Sequence, residues 1–147
     1  MNEPQNALMN KRILIIGAGA VGGYVGAHFA RAGHDVIMAD PWPAHVEHMQ
    51  AHGLRLEGMT EPECFSTPIR AMHFTDLQSL AKEKPADIAF ICVKSYDTPW
   101  AAALAKNYLA ADGFMVSLQN GINEDAIAAV VGWSKVIGCI ASKIVVE

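Results

Sequence analysis

The sequence predicts an α/β fold in which helices cover both faces of a doubly wound, mostly parallel β-sheet. Short runs of apolar, often β-branched residues alternate with helical patterns through most of the 147 residues, as in consecutive β-α-β units. The first run, 12–16, is apolar without a break after Arg12, which is typical of a strand covered on both faces. A glycine-rich turn then leads directly into the first predicted helix.

The first half of the chain contains two predicted strand–helix pairs. Gly33 is expected to end the first helix as a left-handed residue, and Gly53 closes the second. The predicted elements are strands at 12–16 and 35–39, the second ending at Asp40, helices at 20–32 and 43–51, and short strands joined by turns within 54–71.

The second half continues the alternation. Pro99 suits the first turn of a helix, where its missing N–H costs nothing, and Glu124 and Asp125 provide the acidic first turn that a helix dipole favours. The predicted elements are a short helix at 76–82, a strand at 87–93, a helix from Asp97 or Thr98 to about 112–113, a strand at 114–118, a helix from 123 to 132, and strands at 135–140 and 143–146. Residues 1–10 are expected to be a flexible tail, and 11–147 one domain.

Composition excludes several classes of protein. The net charge is −4 and no cluster of Lys or Arg occurs, which argues against nucleic acid as a partner. No run of about 18 apolar residues predicts a membrane span, and the polar N-terminus does not resemble a signal peptide. The three cysteines form no CxxC pair, so a reduced, cytoplasmic setting is expected. The 52% hydrophobic content leaves apolar surface for a partner, a homodimer being one candidate.

The turn after the first strand reads Gly17-Ala18-Gly19-Ala20-Val21-Gly22, which fits G-x-G-x-x-G in its required place between strand and helix. Gly17 permits the tight turn, Gly19 lets a pyrophosphate approach the backbone, and Gly22 lets the helix pack against the strand. The free N–H groups and positive dipole end of the helix attract phosphate. All six residues are therefore predicted to bind a dinucleotide in a Rossmann-type domain.

Asp40 ends the second strand eighteen residues beyond Gly22. At this place an acidic side chain accepts hydrogen bonds from the hydroxyls of the adenosine ribose. A carboxylate repels a 2′-phosphate, whereas an arginine would bind one, so Asp40 favours NAD over NADP. The alternative interpretation is that Asp40 caps the helix that begins near Pro43.

Two polar residues follow strands on the other side of the predicted switch point. Lys94 follows the strand at 87–93 and Asn120 follows the strand at 114–118. In a doubly wound sheet these ends line the crevice where ligands bind. A lysine ammonium and an asparagine amide suit a ligand with anionic and carbonyl oxygens.

The glycine turn with Gly23, the segment Val93-Lys94-Ser95, and the segment Gln119-Asn120-Gly121 with Glu124 together resemble the N-terminal domain of the ketopantoate reductases (2-dehydropantoate 2-reductases). The resemblance covers nearly all of 11–146. It implies that Lys94 and Asn120 contact the nicotinamide end of the cofactor. It also implies hydride transfer from NADPH to a small 2-oxo acid, ketopantoate, giving pantoate for pantothenate and coenzyme A synthesis.

The chain departs from that family in two respects. Asp40 stands where NADPH-using members have an arginine, so the resemblance favours NADP while the residue itself favours NAD. The family's proton-donating lysine and substrate-binding glutamate lie in a C-terminal helical domain that nothing in this sequence matches. No catalytic residue is therefore assigned within the chain, which is expected to be an inactive fragment by itself.

Three other functions stay open on the residues alone. One is a related NAD-dependent dehydrogenase of another 2-oxo or 3-hydroxy acid, and another is a non-catalytic dinucleotide-binding module. The third is an S-adenosylmethionine-dependent methyltransferase, against which Gly22 and the Lys94–Asn120 pair argue. A zinc site is not predicted: His45, His48 and His52 share a helix face but are interpreted as its solvent edge.

Overall fold

A six-stranded, wholly parallel sheet forms the centre of the protein in a computed structural model that describes residues 10–141. The sheet contains β1 (Arg12–Ile16), β2 (Asp35–Asp40), β5 (Arg70–His73), β6 (Ala86–Ile91), β7 (Leu109–Leu118) and β8 (Val136–Cys139). Their order across the sheet is β5-β2-β1-β6-β7-β8. From β1 the chain first adds β2 and β5 on one side and then β6, β7 and β8 on the other. This order confirms the doubly wound fold. A separate antiparallel ribbon joins β3 (Leu54–Leu56) to β4 (Phe65–Thr67).

Within residues 10–141, four α-helices cover the two faces of the sheet. The helices are α1 (Ala20–Arg31), α2 (Pro43–His52), α3 (Thr98–Lys106) and α4 (Glu124–Val131). The first two pack on one face, beside Ile13 and Ile15, and the other two on the opposite face, beside Leu14 and Ile16. All four of these β1 side chains are buried. Alternating side chains of the apolar run thus fill both cores.

The helix α3 is shorter than predicted. It ends at Lys106, and the side-chain Nδ2 of Asn107 donates hydrogen bonds to the carbonyls of Ala103 and Leu104 at 3.1 and 3.3 Å. Strand β7 begins at Leu109 rather than Phe114, with an irregularity in its pairing to β6. The prediction of a helix to 112–113 was wrong because pairing with β6 overrides the helix propensity of the alanines in this segment.

Smaller differences affect other ends. The segment Phe74–Lys82 is a 3₁₀ helix, β6 ends two residues early at Ile91, and a 3₁₀ turn at Trp133–Lys135 precedes β8. Asp97 is the N-cap residue of α3, but its side chain makes no capping hydrogen bond. The strand predicted at 143–146 and nearly all of the tail at 1–10 lie outside the described residues. Within residues 10–141, no helix has both the length and the apolar character needed to cross a bilayer.

A charged cluster joins the amino ends of three strands, at the edge of the sheet opposite the glycine turn. The guanidinium of Arg12 binds Asp35 at 2.6 Å and Glu83 at 3.0 Å, and Arg70 donates two hydrogen bonds to Glu83 at 2.7 and 2.8 Å. The hydrogen bonds from Arg70 are the main cause that lowers the pKa of Glu83 to about 2. This cluster stabilises the edge of the sheet that carries no predicted site residue.

Candidate functional site

The predicted site residues lie around the carboxyl ends of β1, β2, β6 and β7. Strand β1 pairs with β2 on one side and with β6 on the other. The crevice at such a reversal point is where ligands bind in open α/β sheets. The glycine turn, Asp40, Lys94 and Asn120 all follow or end these four strands.

The three motif glycines of the turn have different surroundings. Gly17 has a φ of 97°, and a side chain there would come within 3.0 Å of the backbone after β6. A Cβ at Gly22 would lie 2.0 Å from the carbonyl oxygen of Gly17, so α1 touches the turn. Gly19 differs from both, because a Cβ there would meet no atom within 4 Å. Two glycines thus bring backbone segments together and the third faces open space.

The open space at Gly19 adjoins the start of α1. Gly19 is the N-cap residue, and no side chain caps the helix. Ala20 and Val21 therefore begin the helix with N–H groups that have no intrahelical partner. No acidic residue occurs in this first turn, so the partial positive charge of the helix end is not neutralised by its own side chains. This end of α1 suits an anionic group such as phosphate.

Asp40 is 9% exposed, and both oxygens of its carboxylate are hydrogen-bonded to the backbone. Oδ2 accepts from the N–H of Ala18 at 2.8 Å, and Oδ1 accepts from the N–H of Trp42 at 2.9 Å. Trp42 is itself the N-cap residue of α2, and no side chain caps that helix. The interpretation of Asp40 as a simple helix cap was wrong. A carboxylate has about four acceptor positions, and these two hydrogen bonds use two of them.

His45 also contacts the glycine turn, which the sequence did not predict. Its Nε2 lies 2.9 Å from the carbonyl oxygen of Ala18; because a carbonyl only accepts, Nε2 carries the proton. The half-buried His45 therefore does not belong to the solvent edge of α2, whereas His48 and His52 are exposed and stack on each other at 4.6 Å. Within residues 10–141, no group of three or more potential ligands is arranged to hold a metal ion.

Lys94 and Asn120 are both exposed, on adjacent loops. Lys94 lies three residues beyond the end of β6 rather than directly after it. The two loops are joined, since the carbonyl of Asn120 accepts hydrogen bonds from Ser95 Oγ at 2.9 Å and from Asn123 Nδ2 at 3.0 Å. Backbone positions at the two strand ends are therefore fixed relative to each other, while the Lys94 side chain extends into solvent.

Gln119 is the second residue whose role the sequence did not reveal. Its side chain lies between the two loops and is 7% exposed. Its Nε2 donates to the carbonyl of Val93 at 2.7 Å and to Oγ1 of Thr98 at 2.8 Å, and its Oε1 accepts from Ser117 Oγ at 3.2 Å. The neighbours of Lys94 and Asn120 in the chain are thereby held together. In the sequence, Gln119 is distinguished only as part of the segment Gln119-Asn120-Gly121 that resembles the family.

This geometry accompanies similarity to known proteins over most of the chain. A family model described as ketopantoate reductase PanE/ApbA matches residues 13–146. A 2-dehydropantoate 2-reductase of Archaeoglobus fulgidus is 36% identical over 126 residues, which cover 81% of this chain and 35% of the relative. The crystal structure of a PanE/ApbA family ketopantoate reductase from Ralstonia eutropha JMP134 superposes with a TM-score of 0.70 at 37% identity, covering 88% of this chain and 39% of that one.

A more distant solved structure shares the fold. It is a ternary complex of D-mandelate dehydrogenase with NADH and anilino(oxo)acetate, with a TM-score of 0.74 and 22% identity, covering 85% of this chain and 39% of that one. The chain thus spans between a third and two fifths of the length of these three relatives.

Proposed function

This chain belongs to the ketopantoate reductase PanE/ApbA family, and we propose that it is the NAD(P)H-binding domain of a 2-dehydropantoate 2-reductase-like oxidoreductase. The observation that carries the proposal is the open face of Gly19 at an uncapped helix start, next to the carboxylate of Asp40. The residues fit a dinucleotide, because the helix start suits a pyrophosphate and Asp40 keeps acceptor positions for ribose hydroxyls.

Each end of the cofactor has its proposed contacts. The turn from Gly17 to Gly22, with Ala18, Ala20 and Val21, holds the pyrophosphate, and Asp40 accepts from the adenosine ribose. Lys94 and Asn120 contact the nicotinamide end, as the family resemblance implies. When bound, the reduced nicotinamide supplies the hydride for the ketone of a 2-oxo acid such as ketopantoate. The residues of this chain bind and orient the cofactor for that transfer.

The preferred cofactor is proposed to be NAD. Asp40 is held by two backbone N–H groups, so turning away from a 2′-phosphate would break both hydrogen bonds. A charge-assisted hydrogen bond contributes about 1.5–3 kcal/mol. At about 1.4 kcal/mol per decade, NADH should bind at least about tenfold more tightly than NADPH. The family resemblance, in which an arginine stands at this position, supports NADP instead.

The rest of the reaction is proposed to depend on residues outside this chain. A C-terminal helical domain would supply the proton-donating lysine and the glutamate that binds the 2-oxo acid. A cytoplasmic setting is supported by three free cysteines, because thiols stay reduced there. A homodimer stays one candidate assembly.

Calorimetric titration of the chain with NADH and with NADPH, at one fixed salt concentration, tests the proposal. Binding of NADH with at least a tenfold preference over NADPH is expected, with no oxidation of NADH when ketopantoate is added. No binding of either dinucleotide would refute the proposed function. Equal or tighter binding of NADPH would refute only the cofactor preference, and multiple turnovers would refute the need for a further domain.

A further inference from the structure

We propose that the indole of Trp42 is the surface on which the adenine ring of the dinucleotide stacks, an inference that rests on the proposed function. Trp42 is 66% exposed, although a tryptophan side chain is large, mostly apolar and usually well buried. None of the residues that the sequence predicts to bind the cofactor is assigned to its adenine base. The exposed indole is therefore a candidate for that part of the ligand.

The position of Trp42 relative to Asp40 is the first argument. The N–H of Trp42 donates to Oδ1 of Asp40 at 2.9 Å, which fixes the backbone of Trp42 relative to the carboxylate. In an adenosine the base is attached to C1′, next to the carbon that carries the 2′-hydroxyl. A ribose whose hydroxyls bind Asp40 therefore brings its base within one sugar ring of this segment. The exposed aromatic side chain nearest to Asp40 in the chain is that of Trp42.

The second argument is continuity with the glycine turn. The indole lies 6.0 Å from the ring of His45, centroid to centroid, with 32° between the ring planes. His45 in turn binds the carbonyl of Ala18, while Asp40 binds the N–H of Ala18. Trp42, His45 and Asp40 thus form one contiguous group against the pyrophosphate side of the proposed site. An adenosine bound here would lie along this group.

The third argument is the stiffness of the segment that carries the indole. Trp42 lies between Pro41 and Pro43, each of which has its φ fixed by its ring. A residue before proline is restricted to extended backbone, and Trp42 has φ −86° and ψ 106°. Little backbone freedom is lost when a base stacks on a surface held in this way. Aromatic side chains stack on bases through their π-faces without reading the base sequence.

Fluorescence and calorimetric titrations of the full chain with ADP-ribose, which has the adenine but no nicotinamide, and with NADH test the proposal. ADP-ribose should quench tryptophan emission in the wild type and in Trp133→Phe, but not in Trp42→Phe. Trp42→Ala should weaken both ligands about tenfold, which corresponds to about 1.4 kcal/mol and lies within the range for losing one base–aromatic stack. Trp42→Phe should keep affinity within about threefold of the wild type, since a phenyl ring still stacks.

Trp133→Ala is the matched control, because Trp133 is 64% exposed and precedes β8 at the opposite edge of the sheet. It should leave both affinities unchanged. If the wild type binds NADH and ADP-ribose but Trp42→Ala binds them equally well, the stacking proposal is overturned while the proposed function stands. Quenching that persists in Trp42→Phe would overturn it too and point to the half-exposed Trp100. A wild-type chain that binds neither ligand would overturn both proposals.

Discussion

The substitution Gly19→Ala is expected to impair ligand binding while leaving the stability of the fold nearly unchanged. Gly19 has φ −68° and ψ −163°, an extended conformation that alanine adopts freely, and its Cβ would meet no protein atom within 4 Å. Replacing a favourable N-cap residue destabilises the folded state, whereas the lower entropy of the unfolded chain stabilises it. Each effect changes the free energy of unfolding by up to about 1 kcal/mol. We expect the free energy of unfolding to change by less than about 1 kcal/mol.

The same methyl group should impair cofactor binding, because it occupies the space that a pyrophosphate needs to reach the helix start. Losing one charge-assisted hydrogen bond from a backbone N–H to phosphate costs about 1.5–3 kcal/mol. This corresponds to a loss of NADH affinity of at least about tenfold. The larger side chain in Gly19→Val should abolish measurable binding.

Gly22→Ala is the matched variant, for which we expect a loss of thermal stability. Its Cβ would lie 2.0 Å from the Gly17 carbonyl oxygen and 3.1 Å from Cβ of Cys92. Overpacking of this kind costs about 1–3 kcal/mol, and the contact is with backbone that cannot rotate away. At roughly 3 °C per kcal/mol for a domain of this size, Tm should fall by about 3–9 °C.

Thermal unfolding and NADH calorimetry on the two variants provide the comparison. Gly19→Ala should keep the wild-type Tm within about 3 °C and lose affinity, whereas Gly22→Ala should lose thermal stability. Wild-type affinity in Gly19→Ala would show that no ligand group occupies the space at this residue. A large fall in its Tm would contradict the reasoning from open space.

Three further predictions concern other parts of the fold. Folding lowers the pKa of the Glu83 carboxyl from 4.5 to about 2. The ionised carboxylate therefore stabilises the folded state above about pH 4.5, and this effect is lost as the pH falls towards 2. Glu83→Gln should lower Tm at pH 7, and the difference in Tm from the wild type should shrink between pH 5 and pH 2. Burial raises the pKa of Cys92 to about 12, so iodoacetamide at pH 8 should modify the exposed Cys64 well before Cys92, as peptide mass spectrometry would detect; equal rates would contradict a buried thiol. Gln119→Leu leaves the Val93 carbonyl without its donor and should cost about 1–3 kcal/mol in urea unfolding, with an unchanged midpoint showing that the network is dispensable.

The sheet and its reversal point could be predicted because their signals are local. The uninterrupted apolar run of β1 indicates a strand covered on both faces, and the glycine spacing indicates which strand precedes the turn. The end of α3 could not be predicted in the same way, because the alanines near Leu109 are good helix formers. Their place in β7 depends on β6, more than twenty residues earlier in the chain.

The contacts that hold the candidate site in shape were also beyond the sequence. His45 binds a carbonyl 27 residues away, and Gln119 binds one 26 residues away. Hydrogen bonds from side chains to distant backbone leave no periodic pattern, since the acceptor could be the carbonyl of any residue. The sequence indicated which strand ends carry polar groups, but not which of these groups support the loops.

Asp40 couples the proposed cofactor preference to the shape of the glycine turn. Its carboxylate accepts hydrogen bonds from the N–H of Ala18 in the turn and from the N–H of Trp42 in the segment leading into α2. An arginine at this position would offer a 2′-phosphate a suitable partner, but a guanidinium cannot accept a hydrogen bond. Asp40→Arg would therefore leave two backbone N–H groups without their acceptor. We therefore expect Asp40→Arg to reverse the cofactor preference only together with a second change that restores an acceptor for Ala18.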